Sequence, residues 1–256
     1  MTSHDTISLT REGAVAVIEL TRPEKRNALS DGMVLALERL FNSPPEWAQA
    51  AVLCAEGPHF CAGLDLSELE AKDSMEGLLH SRMWHRAFAA MEHGTLPVVA
   101  ALKGAVIGGG LELAAAAHIR VADPTTFFAL PEGQRGLFVG GGGSVRVPRL
   151  IGAHRMADMM LTGRVLNADE AADLGLVNYL ADNSLERALE LATRAAENAP
   201  ATNFAVLQVL PRIAEAPSDH GLLMEALMAS AASSSDEAQR RMADFLAGRS
   251  ARVAVQ

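Results

Sequence analysis

The order of apolar runs and helical patterns along the chain constrains the fold most. Short apolar runs typical of β-strands alternate with helical patterns up to about residue 180. The strand-type runs are residues 14–20, 50–54, 97–102, 119–122, 126–130 and 176–180. The helical patterns between them cover residues 31–41, 76–91, 110–117, 144–150 and 167–173, and those after them cover residues 185–199, 201–213, 221–230 and 236–248. This order predicts an α/β body over residues 1–199, followed by a helical region over residues 200–256.

Composition excludes several classes of function. The net charge of −9 argues against a nucleic-acid partner, because phosphate binding needs a basic surface. Cys54 and Cys61 lie seven residues apart, which fits neither a zinc site nor a disulfide framework, so we interpret them as packing thiols. The start of the chain lacks the basic and apolar parts of a signal peptide, and charges and glycines interrupt the longest apolar stretch. We therefore expect a cytoplasmic protein.

A run of three glycines, 108–110, enters an apolar helix of sequence LELAAAA. Such a run either brings backbone N–H groups close to a ligand or lets a helix pack tightly on its neighbour. A dinucleotide site is excluded because the spacing is not GxGxxG, and a Walker loop is excluded because no Gly-Lys-Ser or Gly-Lys-Thr is present.

Two glutamates accompany this glycine run. Glu112 lies inside the apolar helix, whose neighbouring residues offer no polar face, so a buried functional carboxylate is the favoured interpretation. Glu132 follows twenty residues later, after a proline at the end of a strand. Local sequence leaves two interpretations of Glu132 open, a catalytic group or an acid that stabilises a helix N-terminus.

Two further loops carry candidate chemistry. In the stretch FCAGLDL at 60–66, the N–H of Leu64 is placed to face a ligand, and Asp65 is either part of that site or a helix cap. The second glycine run, 140–143, fits either a phosphate cradle or close packing of the next helix. On that helix Arg146 and Arg149 are predicted to lie at the surface or at a subunit contact. No histidine belongs to a nucleophile motif or to HExxH, so we predict no metal site.

Five stretches in fixed order resemble the crotonase family, the enoyl-CoA hydratase/isomerase superfamily. The stretches are RPEKRNAL at 22–29, FCAGLDL at 60–66, residues 97–114 with GGGLELA, residues 128–150, and LTG at 161–163 with ADEAADLGLV at 168–177. The resemblance spans about residues 14–181. It implies an α/β spiral of repeated ββα turns over residues 1–199, with C-terminal helices over residues 200–256 that hold trimers, or dimers of trimers, together.

The resemblance also implies the chemistry of the site. The substrate is an acyl-CoA thioester in lipid metabolism, and no separate cofactor is needed because coenzyme A is part of the substrate. By motif position, the backbone N–H groups of Leu64 and Gly109 form the oxyanion hole, and Glu112 and Glu132 are the catalytic acids. The implied substrate-binding and CoA-binding residues are Lys25, Arg26, Ala28, Ala62, Gly63, Asp65, Leu66, Gly110, Pro131 and Gly140.

Within such a family the acids discriminate between reactions. Two glutamates favour an enoyl-CoA hydratase, in which Glu112 deprotonates the water that adds at C3 and Glu132 supplies or removes the C2 proton. The alternative is a Δ3,Δ2-enoyl-CoA isomerase with Glu132 as the single base, or another acyl-CoA enzyme of the family. A catalytically silent acyl-CoA binder is less favoured. Arg135 departs from the family pattern and is expected to lower the pKa of Glu132.

Two other departures concern positions outside the motifs. Lys103 stands where the family often has asparagine. The C-terminal tail lacks the lysines that often bind coenzyme A, and Arg249 and Arg252 are candidates to replace them.

Overall fold

The computed structural model describes residues 6–68 and 73–249. It divides into two compact units, residues 1–196 and residues 197–256. The division falls three residues before the 199/200 boundary expected from sequence, because the last helix of the first unit ends at Ala196. Among the described residues, none of the helices is both long and apolar enough to cross a bilayer.

The first unit contains a six-stranded sheet and a smaller, three-stranded sheet. The strands are β1 Ile7–Glu12, β2 Val15–Leu20, β3 Ala50–Ala55, β4 Val98–Leu102, β5 Ala105–Ile107, β6 Ile119–Ala122, β7 Phe127–Ala129, β8 Leu166–Asn167 and β9 Tyr179–Leu180. The large sheet has the order β1-β2-β3-β4-β6-β9 and is parallel except for the β1–β2 hairpin. The small sheet has the order β5-β7-β8.

Successive turns of the chain add one strand to each sheet, which produces a spiral. β4 in the large sheet leads directly to β5 in the small one, and β6 leads to β7. Isolated parallel bridges join Leu29 to Leu64 and Cys61 to Val106, so the loops of the earlier turns run alongside the small sheet. The bridges and the small sheet therefore bring together segments that are distant in the chain, and several candidate site residues lie on or next to these segments.

Three helices of the first unit begin at side-chain caps. The helices of this unit are α1 Asp31–Asn42, α2 Ser74–Glu92, α3 Gly109–Ala115, α4 Gly143–Ile151, α5 Ala153–Thr162, α6 Ala168–Asp173 and α7 Ser184–Ala196. Ser30 accepts a hydrogen bond from the N–H of Met33, and Asn167 forms a capping box with Glu170, in line with the preference of Ser and Asn for N-cap positions. α2 begins at a capping box formed by Asp73 and Glu76, two residues earlier than the sequence pattern indicates.

The centre of the large sheet is buried on both faces, as parallel sheets are. All six residues of β3 are buried. Ala51, Leu53 and Ala55 belong to the main core, whereas Ala50, Val52 and Cys54 pack in a second cluster with α7. Burial raises the pKa of the Cys54 and Cys61 thiols to about 12, consistent with packing roles.

Several elements differ from the sequence interpretation. β1 and α5 were not predicted. β5 lies in the stretch interpreted only as a glycine-rich turn, and the predicted strand 176–180 is reduced to β9. β1 was missed because its sequence ISLTRE has polar residues on one face and ends in two charges. It is an edge strand with intermediate or exposed positions after Ile7.

The second unit is helical. Its helices are α8 Pro200–Phe204, α9 Leu210–Glu215, α10 Ser218–Ser233 and α11 Asp236–Leu246, with a π-helical turn Ala205–Val209 between α8 and α9. The π turn comes just before Pro211, which has no N–H to donate to the preceding turn. Large apolar side chains remain exposed along these helices. They are Phe204, Val206, Leu210, Leu222, Leu223, Leu227, Met242, Phe245 and Leu246.

Candidate active site

A cavity of about 410 Å³ opens in the first unit, between the N-terminus of α3, the side of α2 and the loop that follows β7. Ten of the site residues expected from sequence line it. They are Ala28, Ala62, Gly63, Leu64, Leu66, Gly109, Glu112, Pro131, Glu132 and Gly140. The other four, Lys25, Arg26, Asp65 and Gly110, do not line the cavity.

Two backbone N–H groups lie side by side at this cavity. A Cβ added to Gly63 would lie 3.5 Å from the nitrogen of Gly109, and a Cβ added to Gly109 would lie 3.4 Å from the nitrogen of Leu64. In the part of the chain that the structure describes, neither N–H has a hydrogen-bond acceptor. Gly63 has a φ of +99°, a conformation that only glycine adopts without strain, and this turn aims the Leu64 amide.

The glycines of the run 108–110 serve different purposes. A Cβ on Gly110 would lie 2.4 Å from the carbonyl oxygen of Cys61, so this glycine allows close packing. A Cβ on Gly109 would meet the ring of Trp84 at 3.0 Å. These contacts support the tight-packing interpretation for Gly110, and the position of Gly109 at the cavity leaves the ligand-approach interpretation as a proposal.

Glu112 is buried, with 4% of its surface exposed, in the first turn of α3. Its Oε1 atom accepts hydrogen bonds from the N–H groups of Gly141 and Gly143, both at 2.8 Å. Burial raises the pKa of Glu112, and these two N–H groups and the charge of Arg146 oppose that rise. The second glycine run therefore cradles a carboxylate of the protein itself, an interpretation that the sequence did not suggest.

Glu132 sits where the chain leaves β7, and its environment differs from that of Glu112. Within the described residues, its buried Oε2 atom has no hydrogen-bond partner. Burial is the main cause that raises the pKa of Glu132, and the charge of Glu112 raises it further. Arg135 lowers this pKa as expected, but its effect is smaller and the net shift is upward. The expected lowering of this pKa by Arg135 is therefore present but is outweighed by burial.

Arg146 is buried, with 9% of its surface exposed, so the expectation that it lies at the surface is wrong. Its Nε and Nη2 atoms lie 2.8 and 2.7 Å from Oε2 of Glu92, and its Nη1 atom donates to the carbonyl of Gly141 at 3.1 Å. Sequence could not reveal this because Glu92 is 54 residues away. Arg149, three residues further along α4, is exposed.

The loop before α1 is rigid through internal contacts. Arg26 and Asn27 both have positive φ, 51° and 54°, and the buried Asn27 amide donates to the carbonyls of Glu56 and His59. This holds Ala28 at the cavity. Lys25 lies beside the cavity region, 3.9 Å from a carboxylate oxygen of Asp65.

Asp65 is bound within the protein. It forms an ion pair with Arg22 at 2.8 Å and caps the short helical turn Leu66–Glu68 through the N–H of Ser67. Hydrogen bonds from Ser67 and Arg22 lower the pKa of Asp65 to about 2. Of the two interpretations left open for Asp65, the capping role is the one that these contacts support.

Helix α2 supplies a wall of the cavity that sequence reasoning did not assign. His80, Ser81 and Trp84 line it, and the Trp84 ring packs on Phe88 with ring centroids 5.6 Å apart. His80 and Trp84 both hydrogen-bond to Oδ1 of Asp31, at 2.7 and 3.2 Å. The four-residue spacing of positions 80, 84 and 88 on one face of a helix could have indicated this wall.

The loop after Glu132 forms the remaining wall with Leu137, Phe138 and Val139. Over residues 6–68 and 73–249, the structure brings no three histidine, cysteine, aspartate or glutamate side chains together in a way that would hold a metal ion. Arg249 pairs with Asp244 in the second unit, and Arg252 lies outside the described residues.

Comparisons with known proteins identify the family of the chain. A profile of the enoyl-CoA hydratase/isomerase family matches residues 10–253. The short-chain-enoyl-CoA hydratase of Clostridium acetobutylicum is 31% identical over 224 residues, which make up 86% of each chain. The α subunit of the fatty acid oxidation complex of Shewanella frigidimarina is 45% identical over 148 residues, 56% of this chain. That match spans only 21% of the subunit, about a fifth of its length.

A solved structure is also similar over nearly the whole chain. The structure of a candidate enoyl-CoA hydratase from Rhodopseudomonas palustris is 56% identical, covers 95% of both chains and superposes with a TM-score of 0.93. This likeness confirms the α/β spiral fold that the motifs predicted.

Proposed function

The chain belongs to the enoyl-CoA hydratase/isomerase family, and we propose that it is an enoyl-CoA hydratase. It adds water across the double bond of a 2-enoyl-CoA thioester, with syn geometry, and produces a 3-hydroxyacyl-CoA. The observation that carries this proposal is a pair of carboxylates, Glu112 and Glu132, in one cavity beside two unpaired backbone N–H groups. No cofactor other than the coenzyme A of the substrate takes part.

The hydrogen-bond environments divide the roles of the two acids. Glu112 accepts two N–H hydrogen bonds, which favour its ionised form. Oε2 of Glu132 accepts none from the described residues. The negative charge of Glu112 further disfavours the anionic form of Glu132. Pairs of carboxylates in such contrasting surroundings act as base and acid. Burial raises the pKa of both carboxyls, but only Glu112 has two N–H donors that oppose this rise. We therefore assign Glu112 as the general base and Glu132 as the group that supplies the C2 proton.

The reaction then proceeds through an enolate. Glu112 takes a proton from water as the water oxygen bonds to C3, and the electrons of the double bond move to the thioester oxygen. The N–H groups of Leu64 and Gly109 stabilise this oxyanion, and one such donor contributes about 3 kcal/mol. The enolate collapses as C2 takes the proton of Glu132. Proton exchange with solvent restores both acids.

Coenzyme A binds along the rigid loop that precedes α1, with Ala28 at the cavity and Lys25 and Arg26 toward the phosphates. Ala62, Gly63, Leu66, Pro131 and Gly140 form the walls around the thioester and acyl group. Gly110 and Asp65 support the site without lining the cavity. Gly110 permits close packing, and Asp65 fixes the loop through its ion pair with Arg22. The protein works in the cytoplasm as a trimer or dimer of trimers, held together by the exposed apolar side chains of the second unit.

Hydration of crotonyl-CoA, followed as loss of the enoyl-thioester absorbance, tests the proposal. A screen of 2-enoyl-CoA substrates from about four to sixteen carbons then defines the acyl specificity. A 3-enoyl-CoA substrate tests the isomerase alternative, because its conversion produces the same absorbance. Tight binding of both substrates without turnover would identify a silent acyl-CoA binder.

A further inference from the structure

The Gly140–Gly143 run, which cradles Glu112, is itself held by a buried guanidinium. Nη1 of Arg146 donates to the carbonyl of Gly141, whose own N–H donates to Glu112. Gly142 has a φ of +102°, and a Cβ there would lie 2.3 Å from Nη1, so the guanidinium lies directly against the backbone of the loop. The guanidinium of Arg146 thus acts on the site through the loop that binds the carboxylate.

A second contact fixes the guanidinium from the other side. Its Nε and Nη2 atoms both lie within 2.8 Å of Oε2 of Glu92, the last residue of α2. The main-chain carbonyl of Glu92 also contacts Nε2 of His118, whose Nδ1 accepts from the N–H of Val98 in β4. Arg146 is therefore anchored through Glu92 to the end of α2 and to the large sheet.

We propose that Arg146 and Glu92 form a positioning pair that sets both the orientation and the ionisation of the general base Glu112. Arg146 orders the loop whose two N–H groups bind Glu112, and its positive charge acts on the carboxylate across that loop. Glu92 holds the guanidinium in place and partly neutralises it. This inference rests on the hydratase function proposed above and adds two residues to it, neither of which touches the substrate.

Other titratable groups face the same region and must be separated from this effect. Glu112 and Arg135 both act on Glu132, and His85 of α2 contacts the backbone of Gly140. His93 lies 3.8 Å from the carboxylate of Glu92. A shift produced by Arg146 must therefore persist in a variant that lacks His85.

The sign of the effect distinguishes the pair from an ordinary structural ion pair. Arg146→Gln removes a positive charge and a hydrogen bond to the loop, so Glu112 ionises at higher pH. Glu92→Gln keeps an acceptor for the guanidinium but removes its counter-charge, so Glu112 ionises at lower pH. A nearby charge moves a pKa by about 1–3 units. Because the loop separates the two groups, we expect the lower end of that range for Arg146→Gln.

The experiment measures kcat/KM for crotonyl-CoA against pH in the full-length wild type and in these variants. In Arg146→Gln we expect the acid limb of the kcat/KM profile to move to higher pH. We also expect kcat to fall about 10- to 100-fold because the base Glu112 is misplaced, with a smaller change in KM. In Glu92→Gln the acid limb moves to lower pH. Arg146→Lys keeps the charge and is expected to restore the position of the limb while kcat recovers only in part.

Controls separate this outcome from general damage. Arg149→Gln, on the same helix but exposed, leaves the profile unchanged, and His85→Gln in the Arg146→Gln background leaves the shift intact. An unshifted acid limb in Arg146→Gln, with near-normal kcat per folded molecule and a lower melting temperature, overturns the proposal. If Arg146→Gln does not fold, Glu92→Gln decides, since an unshifted or alkaline-shifted limb in that variant also overturns it.

A direct titration keeps this test separate from the hydratase proposal. The carboxyl ¹³C resonance of Glu112, assigned by its loss in Glu112→Gln, reports ionisation without any turnover. An inactive wild type contradicts the proposed function. Unchanged titration of Glu112 in both Arg146→Gln and Glu92→Gln contradicts the positioning pair even if the enzyme is active.

Discussion

The carboxylate of Glu132 occupies the space that a side chain at Gly108 would fill. A Cβ built on Gly108 lies 2.3 Å from Oε1 of Glu132, and Gly108 itself has a φ of +51°. The glycine before α3 thus serves the second acid of the site, whereas its neighbour Gly109 presents an N–H to the cavity. One backbone turn, Gly108–Gly109, therefore positions both the Glu132 carboxylate and the N–H group of Gly109.

Substitution at Gly108 tests this relationship. Gly108→Ala forces the Glu132 carboxylate aside, so we expect kcat to fall by about 10²-fold, as small displacements of catalytic groups do. The control is Gly13→Ala in the β1–β2 turn, where φ is +62° and nothing lies within 4 Å of the new Cβ. Both variants strain the backbone, so both lose thermal stability, but only Gly108→Ala loses specific activity. Equal activity in the two variants would contradict the assignment.

Neutral replacements of the two acids test their roles. Glu112→Gln and Glu132→Gln are each expected to lower kcat for crotonyl-CoA hydration by about 10²-fold or more, because each removes a proton-transfer group. Binding of the CoA ester, measured by calorimetry, changes little. Exposed Glu12→Gln serves as the control. Near-normal turnover in either site variant removes that residue from the mechanism.

Glu112 is also expected to make the folded protein less stable as the pH rises. Because its pKa is raised by burial, its contribution to stability is fully present below the unfolded pKa near 4.5 and is lost as pH rises through the folded pKa. Glu112→Gln, whose amide oxygen still accepts from Gly141 and Gly143, should therefore melt higher than the wild type at pH 8 and no higher at pH 4. A difference in melting temperature between Glu112→Gln and the wild type that does not depend on pH would show that ionisation of Glu112 does not destabilise the folded protein.

The exposed leucines of α10 are expected to hold subunits together. Leu222, Leu223 and Leu227 are 60–66% exposed in the single chain. Replacing all three by glutamine keeps their size and should dissociate the oligomer in light scattering, whereas Glu225→Gln on the same helix should not. An intact oligomer in the triple variant would move the interface elsewhere.

Much of the site follows from sequence because it depends on local geometry. Leu64, Gly109 and Glu112 lie in the motifs that carry the family resemblance, and the structure brings all three to one cavity. Ser30 and Asn167 likewise mark helix starts through side chains that act within three residues.

The features that sequence missed depend on partners distant in the chain. Burial of Arg146 is stabilised by Glu92, and the 140–143 glycines serve a carboxylate about thirty residues earlier. Arg135 has the expected effect on Glu132, but desolvation, which depends on the whole fold, outweighs it. Such effects of residues distant in the chain cannot be predicted from local sequence patterns.

Hydration of crotonyl-CoA in H₂¹⁸O tests the central claim most directly. The account predicts that wild-type protein converts crotonyl-CoA to 3-hydroxybutyryl-CoA with one ¹⁸O at C3, and that Glu112→Gln and Glu132→Gln incorporate the label at least about 10²-fold more slowly. Absence of ¹⁸O in the product, with 3-enoyl-CoA substrate isomerised or merely bound by the same preparation, would contradict it.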